Sequence, residues 1–144
     1  MLWAEGVLAE IVLLFVAKHT IERCRPTTLL LLGGLGAVLR WSIVASTTSV
    51  PLLLMSNWLH AFSFAMTYLG AIRALENRVP RHQRATAQGL LGAASAGGGM
   101  VVCGLVGGYA FERIGGGAFF VMAAFALVGV ALAFVLRRQR DQLR

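Results

Sequence analysis

Charge is scarce in this sequence. Only 13% of its 144 residues are charged, six of them acidic, where a soluble domain carries about a quarter. That leaves too little polar surface to coat a water-soluble globule. Cysteine is equally sparse. Cys24 and Cys103 stand alone, without CxxC or HExxH spacing, so neither a disulfide framework nor a zinc site has support. The chain enters apolar residues almost at once and has no basic leader, which speaks against a cleavable signal peptide. Proline is limited to Pro26, Pro51 and Pro80, all of them near the ends of apolar stretches.

What the chain has is apolar length. Apolar residues make up 58% of it and come in runs long enough to cross a hydrocarbon core of ~30 Å. Five spans are expected, at roughly 2–17, 28–47, 50–74, 85–111 and 117–136. The expected fold is an all-α membrane protein with five transmembrane helices. The first span is short for a full crossing of ~20 residues.

Position explains the net charge of +7 better than a nucleic-acid partner does. Eleven of the thirteen basic residues sit in three clusters between or after apolar runs. Lys18, Arg23 and Arg25 follow the first span. Arg73, Arg78, Arg81 and Arg84 follow the third, and Arg137, Arg138, Arg140 and Arg144 follow the fifth. The remaining loops hold only Arg113. The positive-inside rule puts the three clusters in the cytoplasm. Five spans then place the N-terminus outside and the C-terminus in the cytoplasm. The expected location is a bacterial plasma (inner) membrane, with the lipid bilayer as a partner and no nucleic acid.

The fourth span is rich in small residues. Gly89, Ala93 and Gly97 are spaced by four, as are Gly92 and Ala96, and Gly104 and Gly108. Such rows let helix backbones approach closely in lipid. They read either as packing alone or as a contact where helices rock past one another.

Three ionisable residues lie well inside spans, where a charge costs about 2.5–3.5 kcal/mol on insertion scales. They are Glu10, Arg40 and His60. Counted at 1.5 Å per residue, all three lie ~10–15 Å below the outer helix ends. An acid, a base and an imidazole at one depth on consecutive helices can satisfy one another. They also suit a water-accessible cavity that carries protons or a polar solute. The structural alternative is an ion pair, Glu10–Arg40, with His60 as a neutral partner. Asn57, His60, Phe64 and Thr67 recur at helical spacing and predict one stripe along the third span. Gln88 and Ser95 are seven apart and predict a shared face on the fourth. Trp41 and Tyr68 could stack on an apolar solute. Taken singly, each of these also fits ordinary bundle packing. No metal site or cofactor is expected, and Glu10 and His60 lack the second ligand or nucleophile an enzyme needs.

These residues resemble a family. The run GVLAE at 6–10, then Leu39-Arg40-Trp41, Leu59-His60-Ala61 and Ala87-Gln88-Gly89, are similar to the C-terminal half of major facilitator transporters. The similarity is to the phenylpropionate-permease-like, lactose-permease-related branch of proton symporters, and it covers nearly the whole chain. It implies that residues 1–144 form part of a C-terminal six-helix half, the spans being helices eight to twelve of twelve. It implies a substrate-binding glutamate at Glu10, a proton-coupling arginine at Arg40 and the tenth-helix histidine at His60. It also implies a cavity that Trp41, Asn57, Phe64, Thr67, Gln88 and Ser95 help to line.

Two positions depart from the sugar-carrying members. Ser63 stands where they have a carboxylate, and Ala96 falls near their eleventh-helix lysine. A proton would then have to travel on Glu10 or His60, and Arg40 could pair with an anionic solute such as an aromatic carboxylate. The expected function is secondary active, proton-coupled transport of a small organic solute, a sugar or an aromatic carboxylate. It would be carried out with an N-terminal half absent from this sequence. The alternative is a truncated, non-transporting membrane module or helix-packing partner.

Overall fold

The computed structural model describes Leu8, residues 11–13, Phe15, Ile21 and residues 23–142, with side chains as far as Gln139. Glu10 and most of the first expected span lie outside the described residues. Among the described residues every regular element is helical. They are α1 (Pro26–Ser46), α2 (Val50–Glu76), α3 (Arg84–Gly92), α4 (Met100–Ile114) and α5 (Ala118–Gln142). A π-helical segment, Ala93–Gly99, joins α3 to α4 without a loop. Short 3-10 turns, Arg81–Gln83 and Gly115–Gly117, precede α3 and α5.

Local chemistry sets the ends. Pro26 and Pro51 sit in the first turns of α1 and α2, where a missing N–H costs nothing. Between those helices Thr47 and Ser49 are extended, and the Ser49 N–H donates to Thr47 Oγ1 at 3.1 Å. The end of α2 is held by an arginine from the next element. Arg84 donates from Nη2 to the Glu76 carbonyl at 2.9 Å and from Nε to the Val79 carbonyl at 3.3 Å. A cation belongs there, because the carbonyl end of a helix carries partial negative charge. Gly115 ends α4 at φ 54°, a left-handed conformation that glycine adopts freely.

Two described stretches are long and apolar enough to cross a membrane, Pro26–Ser46 and Arg81–Gln139. The second takes in α3, the π segment, α4, the glycine turn and most of α5. Helix α2 is longer than α1, but Ser56, Asn57, His60 and Ser63 dilute its apolar character.

α1 packs between α2 and α5. Its contact with α2 is close because glycines remove side chains from the crossing. A Cβ on Gly33 would meet the Thr67 side chain, the Thr67 backbone nitrogen at 2.7 Å and the Ser63 carbonyl at 2.9 Å. From the other side, a Cβ on Gly70 would lie 3.0 Å from Leu30 and 3.1 Å from the Pro26 carbonyl. Leu29 is fully buried here, and Ala61, Ser63, Ala65 and Met66 fill the α2 side. Gly34 receives Val130 of α5 in the same way, its Cβ position 2.7 Å from Val130 Cγ2. In lipid such contacts stabilise by close packing and not by removing apolar surface from water.

The stretch from α3 to α4 has no buried residue and packs chiefly on α5. Large apolar side chains along it are open, Leu105 at 71% and Leu90 at 67%. Soluble monomers rarely expose such continuous apolar surface.

Candidate functional site

Arg40 anchors the site. It lies inside α1, and its long stem bends the guanidinium back over the next residue. The central carbon is 4.4 Å from the Trp41 ring centroid. Neighbouring residues on a helix do not ordinarily face each other, so this contact requires the side chain to fold onto the ring. A guanidinium over an indole gains most where water is excluded, about 2 kcal/mol or more. Among the described residues, the buried Nε of Arg40 has no hydrogen-bond partner. A cation inside an apolar span with a donor to spare is chemically prepared for an anion.

Trp41 is held in turn. Its ring stacks on Phe119 of α5, with centroids 5.7 Å apart and planes 9° from parallel. Phe111, near the end of α4, meets Phe119 edge-on at 6.4 Å and 68°. Both are favourable aromatic geometries. Beside these rings a cleft of about 520 Å³ opens between α1, α4 and α5. Trp41, Phe111, Phe119 and Met122 wall it, Gly104, Gly107 and Gly108 line one side, and Glu112 also borders it.

His60 is exposed on α2 and lies within electrostatic range of the Arg40 charge. Its ring is 5.9 Å from Phe64, and Phe64 stacks on Tyr68 at 6.0 Å and 7°. The stripe expected along this helix therefore continues through Tyr68. Thr67 instead turns its hydroxyl onto Gly33 at the α1 crossing, although part of the residue stays exposed. Asn57 is half-buried one turn before His60.

Gln88 and Ser95 lie apart from this group. Gln88 is half-buried on α3. Ser95 sits in the π segment, and its hydroxyl donates back to the Leu91 carbonyl at 2.7 Å. The regular spacing expected for the fourth span breaks here, since a π helix bonds i to i+5. A Cβ added at Gly89, Gly92, Gly97, Gly104 or Gly108 would meet nothing described within 4 Å. Tight glycine contacts occur instead at Gly33, Gly34, Gly36 and Gly70, and on α4 at Gly107 against Met122 at 3.2 Å.

The described residues thus bring Arg40 and Trp41 into contact, with His60, Asn57 and Phe64 together on the neighbouring helix α2. Glu10 lies outside them. Sequence reasoning missed Phe119 and Phe111. Their only signal was aromatic residues flanking the Gly115–Gly117 turn.

Comparison with known proteins bears on the whole arrangement. Over 131 residues the chain is 30% identical to the "Probable 3-phenylpropionic acid transporter" of Escherichia coli (strain K12), covering 91% of this chain and 34% of that protein. Over 125 residues it is 24% identical to the "Uncharacterized transporter YwbF" of Bacillus subtilis (strain 168), covering 87% of this chain and 30% of that one. The chain therefore spans about a third of the length of these relatives. No solved structure matches it significantly. The profile of the MFS_1 like family matches residues 1–122. With most of its length matched and its helices apolar on their open faces, the chain belongs to the MFS_1 like family of integral membrane transporters.

Proposed function

We propose that this chain is the C-terminal portion of a proton-coupled importer of a small organic anion with an aromatic ring. The observation that carries this reading is Arg40. It is a cation inside an apolar helix whose Nε is buried and unsatisfied among the described residues, and it rests on Trp41. A solute carboxylate would supply the missing acceptor in a charge-assisted hydrogen bond. The open Phe64 and Tyr68 rings on α2 offer faces on which an aryl group can stack. The printed name of the Escherichia coli relative, a 3-phenylpropionic acid transporter, agrees with that chemistry.

In this reading the five spans are helices eight to twelve of a twelve-helix carrier, with the N-terminus outside and the C-terminus cytoplasmic. The solute binds between this portion and an N-terminal half. Glu10 pairs with Arg40 when ionised. It releases the arginine when protonated, leaving the guanidinium for the solute. His60, within range of the Arg40 charge, stands between the proton site and the solute.

The test is accumulation of labelled 3-phenylpropionate by cells expressing the carrier that contains this chain, with and without a proton gradient. Glu10→Gln is expected to abolish accumulation against a gradient while leaving solute exchange. Unchanged accumulation would remove Glu10 from the mechanism.

A second reading rests on the bare glycine row of α3 and α4. In it the chain is a helix-packing module that covers another membrane protein and carries nothing. Uptake that depends on Arg40 decides against it.

A further inference from the structure

We infer that Phe119 is a positioning residue for Arg40. Stacked on Trp41 across the α1–α5 contact, it fixes the surface against which the guanidinium lies, and so fixes where that guanidinium presents its donors.

Three observations build the case. First, no described residue holds the buried Arg40 Nε by a hydrogen bond, and the guanidinium rests on the Trp41 ring. A guanidinium that rests on a ring shifts when the ring shifts. Second, an indole side chain has more than one staggered rotamer open to it unless a neighbour blocks the others. Here that neighbour is Phe119, parallel to the indole at 5.7 Å and 9°. Third, Phe119 is itself well seated. It directly follows Ala118, which is 3% exposed, at the start of α5, and Phe111 closes on its edge from α4. The order guanidinium, indole, phenyl, phenyl thus crosses three helices. The two outer rings lie on either side of the Gly115–Gly117 turn, so a displacement of the α4–α5 hairpin reaches Arg40 through Phe119.

Packing alone does not account for this arrangement. Among the described residues, the indole that Phe119 stacks on is the one that carries a cation. Phe120, the next residue, is 51% exposed, and among the described residues it makes no ring contact. It provides the control: the same residue type, one position away, outside the stack.

The effect on solute recognition rests on the reading of Arg40 as the anion-binding group, whereas the positioning itself does not. Two measurements separate them. The first follows the Nε–H resonance of Arg40 in the chain reconstituted in lipid nanodiscs with ¹⁵N-labelled arginine, assigned by its loss in Arg40→Lys. In the wild type it should exchange slowly with water and be displaced by the indole ring current. Phe119→Ala and Phe119→Leu should both raise its exchange by about tenfold or more, as expected when a local closure is lost. Leucine fills much of the space but cannot stack, so its agreement with alanine argues against a simple cavity effect. Phe119→Tyr should restore the wild-type signal, and Phe120→Ala should leave it unchanged. An Arg40 signal that is the same in wild type and Phe119→Leu would overturn the inference and leave the transport reading intact.

The second measurement is uptake of 3-phenylpropionate by the carrier containing the chain. Phe119→Leu should raise KM by about tenfold with maximal rate little changed, the cost of a misaligned binding group, and Phe119→Tyr should recover it. Equal KM values in wild type and Phe119→Leu, alongside an altered resonance, would overturn the link to recognition. An Arg40→Gln carrier with wild-type uptake would overturn the anion-binding reading instead.

Discussion

Glycine does opposite things in two regions of this chain. In α1 and α2, Gly33, Gly36 and Gly70 lie where another helix presses in, and the space for a side chain is already occupied. In the stretch from α3 to α4, glycine is more frequent, yet six of its glycines face nothing described within 4 Å. The first region uses glycine to bring backbones together. In the second, glycine leaves a helix smooth and its hydrogen-bond ladder able to slip, as the π segment Ala93–Gly99 records. Glycine spacing alone therefore does not reveal a packed interface. What decides is whether an opposing backbone arrives.

The largest effect should come from closing the tight crossing. Gly33→Ala places a methyl group against the Thr67 nitrogen and the Ser63 carbonyl. These are backbone atoms and cannot swing aside, so α1 and α2 must separate. The expected loss is about 1–3 kcal/mol, typical of overpacking, read as an earlier unfolding midpoint in mixed detergent micelles. A wild-type midpoint would mean that the crossing is looser than described.

Gly115→Ala should come next. At φ 54° a side chain strains the backbone although the space around it is open, and the cost should be about 1 kcal/mol. The same unfolding measurement checks it, and Gly116→Ala, at ordinary φ, serves as the reference.

The smallest effect should be at Gly97. Nothing lies near its Cβ position, and alanine is the better helix former by up to about 1 kcal/mol. Gly97→Ala should therefore leave the isolated chain unchanged or slightly more stable. If the same substitution impairs uptake by the carrier while leaving this chain's stability intact, the bare row meets another helix there, and the contrast between the two regions belongs to the isolated chain alone.

Much of the helical plan was legible in the sequence. The helices α1 and α2 lie within two residues of the apolar runs at 28–47 and 50–74, and α5 starts one residue after the run at 117–136 begins and continues six residues past its end. Pro26, Pro51 and the Gly115–Gly117 turn fall at their ends. Apolar length and breakers are local properties, so a single sequence records them. The π segment was not legible, because a slipped ladder depends on backbone bonds that small side chains neither favour nor forbid. The contact of Thr67 with the α1 crossing was not legible either. Adjacent residues on a helix differ by about 100°, and only the approach of α1 shows that Thr67 turns to the crossing while Tyr68 stacks on Phe64. Arg40 and His60 could be singled out because charge in an apolar run is rare. Phe119 could not, because one phenylalanine among eight gains its meaning only when another helix brings Trp41 to its face.

The central claim is that Arg40 meets an anionic aromatic solute. It is tested most directly by comparing uptake of 3-phenylpropionate with uptake of its neutral amide, in the carrier with Arg40 intact and with Arg40→Gln. The account predicts that the intact carrier favours the acid by about 10- to 100-fold, the range of one charge-assisted hydrogen bond, and that Arg40→Gln removes that preference. A carrier that discriminates acid from amide equally well with glutamine at position 40 would contradict it.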